Sequence, residues 1–520
     1  MRSFLSSCGL MTFLLITAAT GMGYAQEAPL PPENTPLAPS LPASTEGLNH
    51  QYIKPGIRGL VAMGVTEWMV NDPVDSENNL TSATQQFCSK YFEDCTDNDY
   101  TIDNLTKLAP GIFGGIVLNF GWWQLEPKPG VYEFKAIHDA MQKVRAYNTA
   151  NPNHQLKVRL RIWPNSNAPL WAKQLKSDAG VAGPIPVYRS GAEKSIITMG
   201  PWWSGAYRYA WRNFLNALAA EYDRDPLIAD VTNSSCSTQT DEPFIGLDDE
   251  TSVQSMVAAG YTIDAYRLCL SDSVYDYAAW THTRVEFPLG VFHADISLPA
   301  VTFNGVSYPA VSFIPGFVSG QDYQYVDPAT KEVIYNYGKN ETYLDNDGVT
   351  GRAIFPTVTE NIIAHWASVR GDLFEPANHG FRNLTDTKDA LEAIEKDAAK
   401  PLASEYYNYA NYSDSALYVY IYPDILDLGA KGWTVNFQTM NPHKDEIPTL
   451  LSNISKAPAL HLDFDRVVDQ ADTYHVNSLE LWGSEPASGN VVPSNPIGWE
   501  QFNRAQLNAW QKKLTGDEGN

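Results

Sequence analysis

Two glutamates stand where apolar runs of this chain give way to loops. Glu242, in STQTDEPFIG (237–246), follows LIADVTNS (227–234), and Glu480 lies near the end of VNSLELW (476–482). A pair of carboxylates facing one cleft can break a glycosidic bond: one protonates the leaving oxygen, and the other attacks the sugar carbon or activates water. Sugar rings also take aromatic platforms, because their C–H faces are apolar. The chain carries 14 Trp and 28 Tyr, with Trp122, Trp123, Trp163 and Trp482 close to predicted strand ends. Asp241, Asn378 and Gln438 are expected to bind hydroxyls beside them, with Arg161, Asn165, Asn167 and His379 as further rim candidates. His293, Asp295 and Glu375 sit at comparable strand-end positions. Each Trp has a competing reading as core, and Glu242 as an ordinary loop carboxylate.

Other chemistries find less support. NSSCS (233–237) lacks the GxSxG turn of a serine hydrolase. No HExxH or EF-hand spacing occurs, and the cysteines have neither CxxC pairs nor nearby His partners, so no metal and no cofactor is expected. A net charge of -24 argues against nucleic acid, whose phosphates need a basic face.

These side chains need a scaffold that gathers strand ends. Eight strand candidates follow one another: 58–66, 111–123, 157–163, 227–234, 288–296, 371–377, 432–440 and 476–482. Amphipathic stretches at 134–148, 206–222, 356–369, 388–410, 417–430 and 464–475 lie between them. Alternation of this kind predicts an α/β fold, a closed (β/α)8 TIM barrel, with chemistry at the C-terminal ends of its strands. An open doubly wound sheet is the alternative, and the lack of a GxGxxG or GxxxxGK turn counts against it. Residues 301–340 alternate like hairpins, predicting a β-rich insertion after strand five.

GWWQLEPKPGVYEF (121–134) resembles the segment after strand two of clan A glycoside hydrolases, especially the family 42 β-galactosidases, through Trp122, Glu126, Pro127, Gly130, Tyr132 and Phe134. Glu126 is expected to hold this loop rather than react. The resemblance covers strands one to four best and implies that Glu242, in TDEP (240–243), is the acid/base, with Asp241 standing where Asn is usual. It also implies a nucleophile at the end of strand seven, where this chain has Gln438, which cannot serve. Glu480 on strand eight is therefore expected to be the base or nucleophile. The reading is a glycoside hydrolase acting on a carbohydrate; its rival is a non-catalytic carbohydrate-binding barrel.

The ends of the chain bear on where it works. Arg2, the apolar LMTFLLITAAT and Gly23-Tyr24-Ala25 predict an export signal over residues 1–25. Residues 26–50, rich in Pro and small polar residues, predict a disordered linker before a catalytic domain at 51–520. The mature chain is expected to be secreted or periplasmic, with no membrane partner. Its four cysteines allow three pairings, of which Cys88–Cys95 with Cys236–Cys269 is the natural one.

Overall fold

The computed structural model describes residues 52–64, 98–188, 196–238, 241–243, 250–289, 365–381, 422–439, 464–484 and 498–516, with short pieces at 297–337 and 362–363. All lie in the compact unit Pro31–Asn520. The expected signal, the linker, Cys88, Cys95, His293 and Asp295 fall outside the described residues.

Eight parallel strands close into a barrel: β1 (Gly59–Ala62), β2 (Gly115–Gly121), β3 (Lys157–Trp163), β4 (Ile228–Thr232), β5 (Arg284–Pro288), β6 (Phe374–Phe381), β7 (Asn436–Thr439) and β8 (Ser478–Leu481). Each pairs with its chain neighbours, and β8 returns to β1 through Gly59↔Ser478 to Ala62↔Leu481. This is the expected TIM barrel. Three two-stranded antiparallel pairs are described within 297–337, where a β-rich insertion after β5 is expected, and a further hairpin pairs Ile185–Tyr188 with Ile196–Met199.

The covering helices follow their apolar spacing. In α1 (Asn98–Leu108) and α2 (Lys135–Ala150) the buried positions recur every three to four residues, as with Ile137, Ala140, Met141, Val144 and Tyr147. Helix α3 (Gly205–Tyr222) buries Tyr207, Trp211, Phe214, Leu215 and Leu218, and Ser204 caps its start by accepting from the Tyr207 amide. Helices α4 (Glu250–Ala258), α5 (Ile263–Asp276), α6 (Tyr422–Ala430) and α7 (Phe464–Thr473) follow. The last, α8 (Arg504–Thr515), starts at an Asn503–Gln506 capping box and stops at Gly516, whose φ of 71° is left-handed.

Two strands differ from their predicted spans. The fifth is RVEFP (284–288), not 288–296. Its Val285 and Phe287 pack outward, Phe287 lying 4.6 Å from the Trp366 ring, while Glu286 faces a charged interior. A strand with charged residues facing inward has no apolar run to find. The sixth begins at Phe374, because Gly371–Leu373 is a 3-10 turn, and runs through a register shift between Asn378 and Phe381.

Cys236 and Cys269 form a disulfide that fastens the loop after β4 to α5. Both are buried in the main core. Closing a loop of 33 residues limits the unfolded chain. The double change Cys236→Ser with Cys269→Ser is expected to lower stability by about 3–4 kcal/mol, read as a shift of the urea midpoint at unchanged slope.

Candidate active site

Inward positions of a barrel strand recur every second residue, so KVRLRIW aims Arg159, Arg161 and Trp163 into the barrel while Val158, Leu160 and Ile162 meet the helices. Barrels of this kind are usually filled with branched aliphatic residues. Here aliphatics fill one side, with Val61, Met63 and Val117 clustered beside Ile57 and Trp482. The other side holds charge. Arg159 meets Asp230 at 2.7 Å, Glu286 at 2.8 Å, Glu480 at 3.0 Å and Glu375 at 3.6 Å. Arg161, one tier nearer the mouth, meets Asp241 and Glu480, each at 3.0 Å, and Glu286 at 3.6 Å. Its Nη1 also donates to the Met63 sulfur at 3.1 Å.

The protonation pattern follows from this packing. Burial would raise the Glu286 carboxyl, but Arg159, His379 and Arg161 hold it far below the usual range. Burial, with the Asp230 charge beside it, pushes the Glu375 carboxyl well above the usual carboxylate range, against the pull of Arg159 and Arg284. Burial would also raise Asp241, and Arg161 and His379 override it, keeping this carboxylate ionised. Burial opposes the charge on His379, yet Asp241 at 3.1 Å from Nδ1 and Glu286 at 3.5 Å from Nε2 lift it to about 10. His379 is thus an imidazolium between two carboxylates.

The loop after β4 delivers Asp241 into this layer. Residues 233–238 pack on the 3-10 turn Asn165–Asn167 after β3: Ser166 N donates to Thr238 O at 3.2 Å, and the Asn165 amide donates to Ser237 O. Beyond Glu242, the Tyr266 hydroxyl donates to Pro243 O. Asp241 is anchored inward and Pro243 on α5, which leaves Glu242 between them, half-buried at the mouth.

The remaining candidates divide sharply. Trp163 stands one step above Arg161 on the inward face of β3, and Trp482, two residues after Glu480, follows directly on the end of β8. Trp123 joins them: a Cβ on Gly121, the residue paired with Trp163, would lie 2.6 Å from its indole. These three rings collar the mouth. Gln438, paired with Glu480, donates to the Met63 sulfur at 3.4 Å. Trp122, by contrast, is core. It is fully buried among Trp171, Tyr207, Trp211 and Phe214, because the turn at Gly121 sends it behind the sheet, and its indole donates to Glu126 at 2.8 Å. Glu126 also accepts from the Gly130 amide at 2.8 Å, the loop-holding role expected of it. Asn378 spends its amide on backbone, donating to Leu289 O at 2.7 Å and accepting from Gly380 N at 2.9 Å, and so sets the β6 irregularity. Glu480 lies in the ion layer with no exposed surface and both oxygens on guanidinium groups.

Sequence reasoning passed over Glu286, Asp230 and Arg159. The signal was present in KVRLRIW: two arginines on the inward face of a strand need carboxylates on its neighbours. A separate cleft of about 730 Å³, lined by Gly111, Asn151, His154, Arg504 and Asn508 among others, opens at the opposite, N-terminal ends of the strands. Among the described residues, no cluster of His, Cys, Asp and Glu has metal-binding geometry.

No family model and no curated protein matches the chain. Similar solved structures include a GH5-4 broad specificity endoglucanase from an uncultured bacterium, at 12% identity and TM-score 0.37, covering 90% of this chain and 98% of that one. Endo-glycoceramidase II from Rhodococcus sp. has 11% identity and TM-score 0.37, covering 89% and 81%. A cold-adapted β-galactosidase from Rahnella sp. R3 has 12% identity and TM-score 0.33, with 90% of this chain matching 57% of that longer one. The barrel is established by its own strand pairing, and the resemblance of residues 121–134 to family 42 stands on those residues alone.

Two predictions follow from the buried charges. Glu480→Gln removes the partner shared by two sealed guanidinium groups, so it is expected to cost about 3–5 kcal/mol, measured by urea unfolding. The second concerns pH. Burial raises Glu126 to about 7, and Glu500, which accepts from Ser484 N and Asn104, also to about 7. Between the unfolded glutamate value near 4.5 and 7, the folded state holds more protons, so stability falls as pH rises. His379 extends the decline from its unfolded value of 6.5 to about 10. Stability at pH 8 is expected to be at least about 3 kcal/mol below that at pH 5, and Glu126→Gln should flatten the slope between pH 5 and 7.

Proposed function

We propose that this chain is an exported glycoside hydrolase that cleaves its carbohydrate substrate at the barrel mouth. The observation that carries the reading is the half-buried Glu242 beside an ionised, cation-locked Asp241, under a collar of Trp123, Trp163 and Trp482. Glu242 is the general acid, because a partly buried carboxylic acid at the mouth can hand its proton to a leaving oxygen. Two carboxylates are open to it as partners. Glu480 is sealed beneath the mouth by two arginines, whereas Asp241 adjoins Glu242 and keeps both its cations on the single oxygen Oδ2. Asp241 is therefore the preferred base or nucleophile, with Arg161 and His379 keeping it ionised. The Cys236–Cys269 disulfide supports an oxidising compartment, in keeping with export.

A second reading has its own observation. Gln438 occupies the C-terminal end of β7, and Glu480 is inaccessible, which together favour a barrel that binds carbohydrate without cleaving it.

Hydrolysis of aryl glycosides and polysaccharides by wild type, Glu242→Gln, Asp241→Asn and Glu480→Gln separates the two. Hydrolase chemistry predicts a fall in kcat of at least about 100-fold for the first two variants, while Glu480→Gln loses stability first. The anomer of the first product then distinguishes water activation from direct attack. Sugar binding by wild type with no turnover on any substrate would sink the hydrolase and leave the binding barrel.

A further inference from the structure

A small cavity lies between the loops that follow β3 and β4. Asn165 and Cys236 line it from those two loops, Trp202 from the segment before α3, Arg208 from α3, and Cys269 and Asp276 from α5. None of the six is more than 3% exposed. Its volume, counted as the space open to the centre of a water molecule, is about 10 Å³. A cavity of that size takes one water, provided that two to four polar groups receive it. Three of these side chains each keep one polar atom without a hydrogen-bond partner among the described residues: Asn165 Oδ1, Trp202 Nε1 and Arg208 Nε. Their surroundings are otherwise engaged. Asn165 Nδ2 donates to Ser237 O, and because a carbonyl only accepts, that bond fixes which end of the amide is the oxygen. The terminal nitrogens of Arg208 meet Asp272 at 3.5 Å and Asp276 at 3.4 Å, and Asp276 also takes Arg212 at 2.7 Å. Trp211 Nε1 donates to Ser235 Oγ, and Asn165 N to the Tyr207 hydroxyl, each at 2.9 Å. One acceptor and two donors left unmet at such depth are costly.

We infer that this cavity is the binding site of one ordered water, which accepts from Trp202 Nε1 and Arg208 Nε and donates to Asn165 Oδ1. Water fits because it both accepts and donates. An anion would face the Asn165 oxygen and Asp276, and a cation would face two N–H groups. The charges nearby already balance, Arg208 and Arg212 against Asp272 and Asp276, so none calls for an ion. The water is a positioning element: it ties the turn after β3, the segment leading into α3 and α3 itself at one point. Through Asn165, whose Nδ2 holds Ser237 O, it steadies the loop that carries Asp241. Asn165 and Cys236, at φ of 58° and 67°, are two of the three left-handed non-glycine residues among those described. Such conformations persist where surrounding contacts hold them, and the water gives Asn165 one such contact. The inference rests on no reading of the chemistry at the mouth.

A crystal structure of the full chain, at a resolution that shows ordered waters, tests it. The expected result is a single peak about 2.7–3.2 Å from Trp202 Nε1, Arg208 Nε and Asn165 Oδ1. Nuclear magnetic resonance of the chain, isotopically labelled at the tryptophan nitrogens, gives a second reading. The Trp202 indole N–H, identified by its loss in Trp202→Phe, should show a nuclear Overhauser effect to water of the sign that marks a molecule held inside the protein. If Trp202→Phe does not fold, the density of the unchanged chain decides alone. No peak at that position, side chains that pair the three atoms directly with protein groups, or an indole N–H with no effect from held water overturns the inference.

Discussion

The interior of this barrel is held by Arg159 and Arg161. Together they reach from β3 across to β4, β5, β6 and β8 and touch five carboxylates. Two charged tiers replace the aliphatic layers that fill most barrels of this topology. Burying them is expensive, and it is compensated only because each charge finds an opposite one and further hydrogen bonds. Thr232 donates to Glu286 at 2.6 Å, and Ser478 links Arg159 to Asn436. Burial and the neighbouring Asp230 charge favour the neutral form of Glu375 within this layer. The arrangement trades stability for rigid placement, since few rotamers satisfy so many partners at once.

The mouth inherits its geometry from that layer. Asp241 is drawn in by Arg161 and His379, and the loop that carries it is fastened on one side by the disulfide and on the other by Tyr266. Glu242 lies on the chain between these two anchored residues. The tryptophan collar has a similar origin. Trp163 is the next inward residue after Arg161, Trp482 follows two residues after Glu480 on the end of β8, and Trp123 covers a glycine that leaves room for it.

Strand alternation and helical spacing were legible along most of the chain, because apolar faces and turns are local properties. The eight-fold repeat and the insertion after β5 followed from them, whereas the Cys236–Cys269 pair came from the cysteine spacing and the holding role of Glu126 from the segment 121–134. The fifth strand escaped because its inward side chains are charged, so the apolar run that marks a strand was missing. Trp122 and Trp123 are adjacent and chemically identical; only the turn at Gly121 sends one to the core and the other to the mouth.

What the sequence determined by itself was therefore the architecture and the stock of groups at its rim: acids after β4, tryptophans after β2, β3 and β8, and no acid at the end of β7. What the tertiary structure alone decided was which of those groups are spent. Glu480 is consumed by two arginines, Asn378 by backbone and Trp122 by packing, while the Asn165 side-chain oxygen has no partner among the described residues. The physical reason is that burial and pairing depend on residues hundreds of positions apart. Arg159 and Glu480 are 321 residues distant in the chain and 3.0 Å apart in the barrel.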